Sequence, residues 1–313
     1  MTNQSDFPAL TDGAAADAAP GAAPDGVIHN IGYRGYRGPR LGRGYATRSL
    51  FVQGLRGAFG LGRSGRSKVL PMLMLAAITL PAALVVTIAI KGGEAQLSTD
   101  YPQYLASVGL LFAEIFVAAQ APVLLSRDLR YATVPLYFSR PIIRADYVRA
   151  KAAALVAAML IVTGLPLLVL YLGALLGGMD FAHNTEHFGM GLLAALLYSV
   201  VFSAVALVIA AATPRRGFGV AAIMGVLVVT GIVATIIAGL SAGGLRNDGA
   251  NGATWAYLIS PSSVVDRFVN QVCGLASDSP GTPGMLGAAV FGLEIVALVV
   301  GAYLVLLRRY RKI

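Results

Sequence analysis

Six runs of apolar residues, each closed off by charged or polar ones, divide the chain: Val69 to Ile90, Tyr104 to Leu125, Ala152 to Gly178, Gly189 to Ala212, Gly217 to Leu240 and Leu286 to Leu307. Each holds at least the roughly 20 residues that an α-helix needs to cross a ~30 Å hydrocarbon layer. The pattern predicts an all-α polytopic membrane protein with six transmembrane helices. Ahead of them, Thr47 to Leu61 has helical spacing, with Leu50, Phe51, Leu55, Phe59 and Leu61 broadly on one side and Arg48, Gln53 and Arg56 facing away. A short basic amphipathic helix of that kind is expected in the membrane interface. Residues 1–45 are then a separate N-terminal segment and 46–313 the transmembrane domain.

The charges orient the spans. Of the 24 lysines and arginines, all but Lys91, Arg246 and Arg267 lie before the first run, between the second and third, between the fourth and fifth, or in the tail. The positive-inside rule therefore predicts cytoplasmic termini in a plasma or inner membrane, and the reverse orientation would invert it. Composition agrees: 57% hydrophobic residues, 12% charged and a mean hydropathy of +0.72 do not suit a soluble domain. The net charge of +9 sits beside span ends, where it matches anionic membrane lipid instead of nucleic acid. Cys273 is alone, so no intrachain disulfide forms. No cleavable signal peptide is expected, because the first apolar run follows a polar, basic leader. Residues 1–26 should be disordered, and Tyr33 to Arg48 interleaves arginine, tyrosine and glycine like a strap along lipid head groups.

Loop lengths carry the next information. An inner segment of residues 126–151 holds Arg127, Arg130, Arg140, Arg144, Arg149 and Lys151 with Asp128 and Asp146, around an apolar centre at Val134, Leu136, Tyr137 and Phe138. A polar return loop has no use for that centre, whereas a short helix docking on a cytoplasmic partner does. The outer loop of residues 241–285 mixes Trp255, Tyr257, Ile259, Val264, Val265, Phe268 and Val269 with glycine and proline, which predicts short helices held against the outer surface. Gly60 to Ser67 nearly spells a phosphate-binding loop, but Arg66 replaces its lysine and no strand precedes it. It is read as a basic hinge, and any ATP that drives the protein must bind another polypeptide.

Between the second and third runs the chain resembles the ABC-2 type family of permeases, the membrane subunits of ABC exporters. Its members carry an acidic residue, a Gly-Thr-Leu-like step, a Ser-Arg-Pro-Ile-Ser-Arg-like turn and a closing Gly-Lys. The counterparts here are Asp128, Ala132-Thr133-Val134, Ser139-Arg140-Pro141-Ile142-Ile143-Arg144 and Ala150-Lys151, with alanine for both family glycines. The resemblance covers residues 46–313 and implies an elbow helix, six spans and a coupling segment. It implies that Arg127, Asp128, Arg130, Leu136, Tyr137, Arg140, Pro141, Arg144 and Lys151 meet a separate cytoplasmic ABC ATPase. That ATPase would bind the ATP and Mg, this chain holding no cofactor or metal and performing no catalysis. A second permease, identical or not, would meet the elbow helix and first span. The expected function is export coupled to the partner's ATP hydrolysis; the alternative is a membrane assembly or sensor protein that recruits cytoplasmic partners.

Two acids fall inside spans, Glu114 and Glu294, with Gln120 near the first. An acidic side chain at a helix centre costs about 3 kcal/mol, so each needs a cavity, a partner or a proton. They line a translocation path or are hydrogen-bonded structural groups. His183-Asn184-Thr185-Glu186-His187 fits a zinc-protease spelling, yet it is expected in a short outer loop that offers neither a rigid helix nor a further ligand. Gly239-Leu240-Ser241-Ala242-Gly243 matches a nucleophile elbow, but all three histidines lie outside the spans, and small residues at a span end explain it equally. Gly173 and Gly177 are spaced for close helix contact.

Overall fold

The computed structural model describes residues 38, 41–131, 133–138, 142–213, 215–242, 255–275 and 284–311. The N-terminal segment of residues 1–45 therefore lies almost wholly outside the described residues, as do Arg140, Pro141 and the side chain of Arg127. The described chain is helical. A first helix, α1 (Arg43–Ala58), is followed by α2 (Arg66–Gly92), α3 (Tyr101–Arg130), a short α4 (Val134–Phe138), α5 (Arg144–Leu176), α6 (Phe181–Ala212), α7 (Gly217–Ser241), α8 (Pro261–Val272) and α9 (Gly284–Arg311). Six of them, α2, α3, α5, α6, α7 and α9, are long and apolar enough to cross a membrane.

Contacts between elements make the spans alternate in direction. At one end the hydroxyl of Ser126 on α3 donates to the Ala210 carbonyl of α6 at 2.8 Å, and Tyr147 of α5 packs on Tyr310 of α9 at 5.2 Å between ring centroids. At the other end Tyr101 of α3 donates to Asn184 of α6 at 2.9 Å. The first end also carries Arg66, Arg144, Lys151 and Arg308, and is called the basic end below.

Helices without a hydrophobic drive toward one another in lipid must gain contact by close packing, and small residues allow it. Gly173 and Gly177 of α5 face α2, where a Cβ at position 173 would collide with Val86 and one at 177 would stand 2.8 Å from Ile90 Cγ1. Gly191 of α6 leaves room for Tyr101 in the same way, at 2.7 Å. α3 is the most buried of the spans, and α5 and α6 follow it, with Ala195, Phe202, Ala206 and Ala210 of α6 inaccessible. By contrast α2, α7 and α9 leave most of their apolar surface uncovered.

Three elements differ from the sequence expectation. The helical run of the second span reaches Arg130 past a turn at Leu125, and α5 begins at Arg144, well ahead of its apolar run; both ends of the inner segment are thus helical. The His183 to His187 stretch is helix, not loop, because the Asp180 carboxylate caps α6 by accepting from the His183 amide at 2.7 Å. Leu61 is exposed, since the chain turns at Gly60, where φ is 67°, before the helical face reaches it. The remaining apolar face of α1 is covered by protein: Leu50, Gly54 and Ala58 are buried, and Phe59 meets Phe116 of α3 at 5.8 Å. Gly54 brings the backbone of α1 close to α5, since a Cβ there would stand 2.8 Å from the Ala154 Cβ.

Gly54→Leu should therefore lower stability by about 1–3 kcal/mol through overpacking. Limited trypsin cleavage at Arg48 and Arg56, with thermal unfolding in detergent, checks this: the variant should be cut faster and unfold earlier than the native chain.

Candidate functional site

The inner segment is closed by one ion pair. Asp128, on the last turn of α3, accepts from Lys151 Nζ at 2.8 Å and from the Tyr147 hydroxyl at 2.8 Å. Tyr147 and Lys151 sit one helical turn apart on the same face of α5, so both reach the same carboxylate. The side chains of Lys151 and Asp128 are only 8% and 14% exposed. The turn that leaves α3 is held as well, because the Thr133 amide and hydroxyl both donate to the Asp128 carbonyl, at 3.0 and 3.3 Å.

This clamp positions α4. Tyr137 and Phe138 lie against the Tyr147 ring, with centroids at 5.6 and 6.2 Å, and the Lys151 ammonium stands 5.5 Å from the Tyr147 ring centre. Val134 is buried, whereas Leu136 is 68% exposed. The predicted apolar centre thus divides: Tyr137 and Phe138 pack on α5, and Leu136 is exposed, as are Tyr131 and Ile143 of the same segment. Arg130 and Arg144 are exposed on the same segment, and the Arg144 guanidinium lies 5.5 Å from the Phe138 ring. A cavity of about 560 Å³ separates this segment from α1, lined by Gln53, Gly54, Arg63, Asp128, Tyr131 and Lys151 among others.

α1 is fastened to the same helix. Arg43 donates through Nε and Nη2 to the two oxygens of Asp146, the latter contact being 2.8 Å. Asp146 is in the first turn of α5, where the helix dipole favours a carboxylate. Arg43 and Asp146 carry no sequence signal of their pairing, being far apart in the chain. Tyr147 does: its spacing from Lys151 could have marked it as a second ligand of Asp128.

The membrane acids are not brought together. Glu114 is buried, 4% exposed, and borders a cleft of about 420 Å³ between α3, α7 and the start of α8. Leu110, Leu227, Ile232, Thr235 and Ser262 share that cleft. Both π-helical turns adjoin it: Leu105–Gly109 ends just before Leu110, and Gly225–Val229 contributes Leu227. Such turns widen a helix locally and often stand at functional positions. Gln120 is equally buried but belongs to the packed core of α3, and Glu294 is half-buried on α9; among the described residues neither lines the cleft.

His183 and His187 stack at 3.9 Å on the first turns of α6, and no cluster of three metal-binding side chains exists among the described residues. The Ser241 hydroxyl donates to its own helix at Ile237. On α8, which lies against α6 and α9 at the end opposite the basic one, Arg267 is 4% exposed and rests 4.0 Å from the Tyr257 ring centre. Burial pushes the neighbouring Asp266 carboxyl up, against the opposing effects of Arg267 and a hydrogen bond with Asn270.

The fold and these features define a polytopic, six-helix membrane protein. No family model matches the chain, and neither does any curated protein.

Two predictions follow from the charges. Lys151→Met should cost about 3–5 kcal/mol by stranding Asp128, while Asp128→Leu with Lys151→Met should recover most of it. Thermal unfolding of the purified variants measures both. For Asp266 the native carboxyl binds protons more readily than the unfolded one. Stability from this group is therefore complete below the ordinary aspartate value of about 3.9 and is lost as pH rises through the higher native value. Asp266→Asn should flatten that part of the stability profile and raise the unfolding temperature at neutral pH.

Proposed function

We propose that this chain is the permease subunit of an ATP-driven exporter resembling the ABC-2 type family, in a plasma or inner membrane with both termini cytoplasmic. The observation that carries the reading is the closure of residues 126–151 by Asp128, Tyr147 and Lys151, with Leu136, Arg130 and Arg144 left on the outside. The acid and the lysine that the family motif places at either end of this segment are the two residues that pair. A segment stiffened in this way can pass a push to α5 directly, and to α1 through Arg43 and Asp146. Its outer surface combines an apolar anchor with cations, the chemistry of a protein docking site.

In this reading a separate cytoplasmic ATPase binds ATP and Mg and docks on the basic end. A second permease, a copy of this chain or a relative, completes the assembly. ATPase closure moves the inner segment, α5 and α3 together, and the cleft at Glu114 changes shape. Of the three polar candidates Glu114 borders the cleft, and in this reading it is the one that meets cargo.

Purification from the native membrane in mild detergent, with mass spectrometry of everything retained, tests the assembly. A stoichiometric soluble protein bearing a phosphate-binding loop supports the exporter. This chain alone, or partners without such a loop, overturns it in favour of an assembly or sensor role. Leu136→Glu with Arg144→Glu should lower ATPase capture at least about tenfold while leaving insertion intact, since reversed charge at a docking surface is poorly tolerated. Glu114→Gln should keep the complex and alter export.

A further inference from the structure

Glu114 is an acid without a counter-charge. It is 4% exposed, yet among the described residues no lysine, arginine or histidine pairs with it and no hydrogen bond reaches it. Its electrostatic neighbour on α6 is the buried hydroxyl of Tyr198, a neutral group. An acid inside a span persists where a partner, a cavity or a proton meets it, and here a cavity adjoins it.

The cleft of about 420 Å³ has the volume of a small-molecule site. One wall is a single face of α7, on which Leu227, Gly231 and Thr235, and beside them Val228, Ile232 and Ile236, recur one helical turn apart. Leu111, Ile232 and Ile236 are exposed although they lie within spans, so the cleft opens toward the bilayer or a neighbouring chain instead of bulk water. Hydroxyls supply the remaining polarity. Thr235 donates to the Gly231 carbonyl at 2.9 Å and keeps its lone pairs, and Ser262 shares a 2.8 Å hydrogen bond with Ser260. Among the described residues no cation lines the cleft. It therefore offers a ligand one carboxyl and a few hydroxyl oxygens in a hydrocarbon wall. A group that is both positively charged and an N–H donor matches the carboxylate most strongly, since charge-assisted hydrogen bonds gain in a low dielectric. A sugar or a hydrated metal ion would leave the apolar walls unmatched.

We propose that this cleft binds a protonated lipophilic amine, with the ammonium on Glu114 and the apolar body across Leu227, Ile232 and Ile236. As a statement of cargo class the proposal rests on the exporter reading; as a binding site it requires only that the chain be a membrane protein.

Equilibrium dialysis of the full chain in phosphatidylcholine nanodiscs against tritiated adamantylamine tests it, with adamantanol and adamantanecarboxylate as the neutral and anionic isosteres. The amine should saturate at one per chain and bind at least about tenfold more tightly than either isostere. Glu114→Gln should weaken the amine by about tenfold or more and leave the alcohol unchanged, while Glu114→Asp should keep part of the preference. Equal binding of amine and alcohol overturns the proposal. So does an unchanged amine affinity in Glu114→Gln, the result expected if Glu114 acts as a neutral hydrogen-bonding acid, or the absence of saturable binding, the result expected if a second chain covers the cleft. If Glu114→Gln does not fold, Ile232→Trp decides: filling the exposed wall must weaken the amine, and unchanged affinity overturns the site. The exporter reading is judged separately. An amine site on a chain that co-purifies with no ATPase upholds the site and overturns the exporter, whereas an ATPase partner without amine preference upholds the exporter and overturns the amine class.

Discussion

The buried pair of Asp128 and Lys151 is the constraint on which the basic end depends. Taking two charges out of water is costly, and the cost is offset only where geometry is good and remaining hydrogen-bonding capacity is used. Both conditions hold: the pair is 2.8 Å apart, and Tyr147 donates a second hydrogen bond to the same carboxylate. Fixing Asp128 fixes the exit from α3, because Thr133 binds its carbonyl, and fixing Tyr147 provides the aromatic wall on which Tyr137, Phe138 and Tyr310 pack. A stretch that would otherwise be a charged loop becomes a shaped surface with Leu136 at its outer edge.

The same helix, α5, gathers the rest. Its basic end holds the inner segment and, through Asp146, α1; its middle meets α1 at Ala154; its far end meets α2 at Gly173 and Gly177. These contacts use absent side chains more than large ones, as expected where lipid competes for every apolar surface. The surplus apolar surface is left on α2, α7 and α9, where bilayer or another chain covers it. α1 combines both roles, one face locked to α5 by small residues and the other gathering arginines around Val52 and Leu61.

At membrane depth the three polar candidates part company. Glu114 borders a cleft that two π-helical turns adjoin, while Gln120 stays in the packed core of its own helix and Glu294 sits on α9 away from that cleft. A carboxyl beside an open volume can meet a ligand or a proton; a polar group inside packed helix serves packing. The export cycle proposed for the assembly asks only Glu114 to respond to cargo.

The sequence by itself determined the class and the layout: six spans, a preceding amphipathic helix, an alternation of charge, and the segment of residues 126–151 as the informative loop. Those follow from span length and from the cost of placing charge in hydrocarbon, which are properties of local composition. It also marked Asp128 and Lys151 individually, and Gly173 with Gly177 as a contact. Only the tertiary structure decided which groups meet. Arg43 with Asp146, Arg63 with Gly57, and Glu114 with the face of α7 are pairings between distant positions, and no period or motif encodes them. His183 and His187 show the same limit at short range: the expected loop is the first turn of α6, capped by Asp180 and held to α3 through Asn184 and Tyr101.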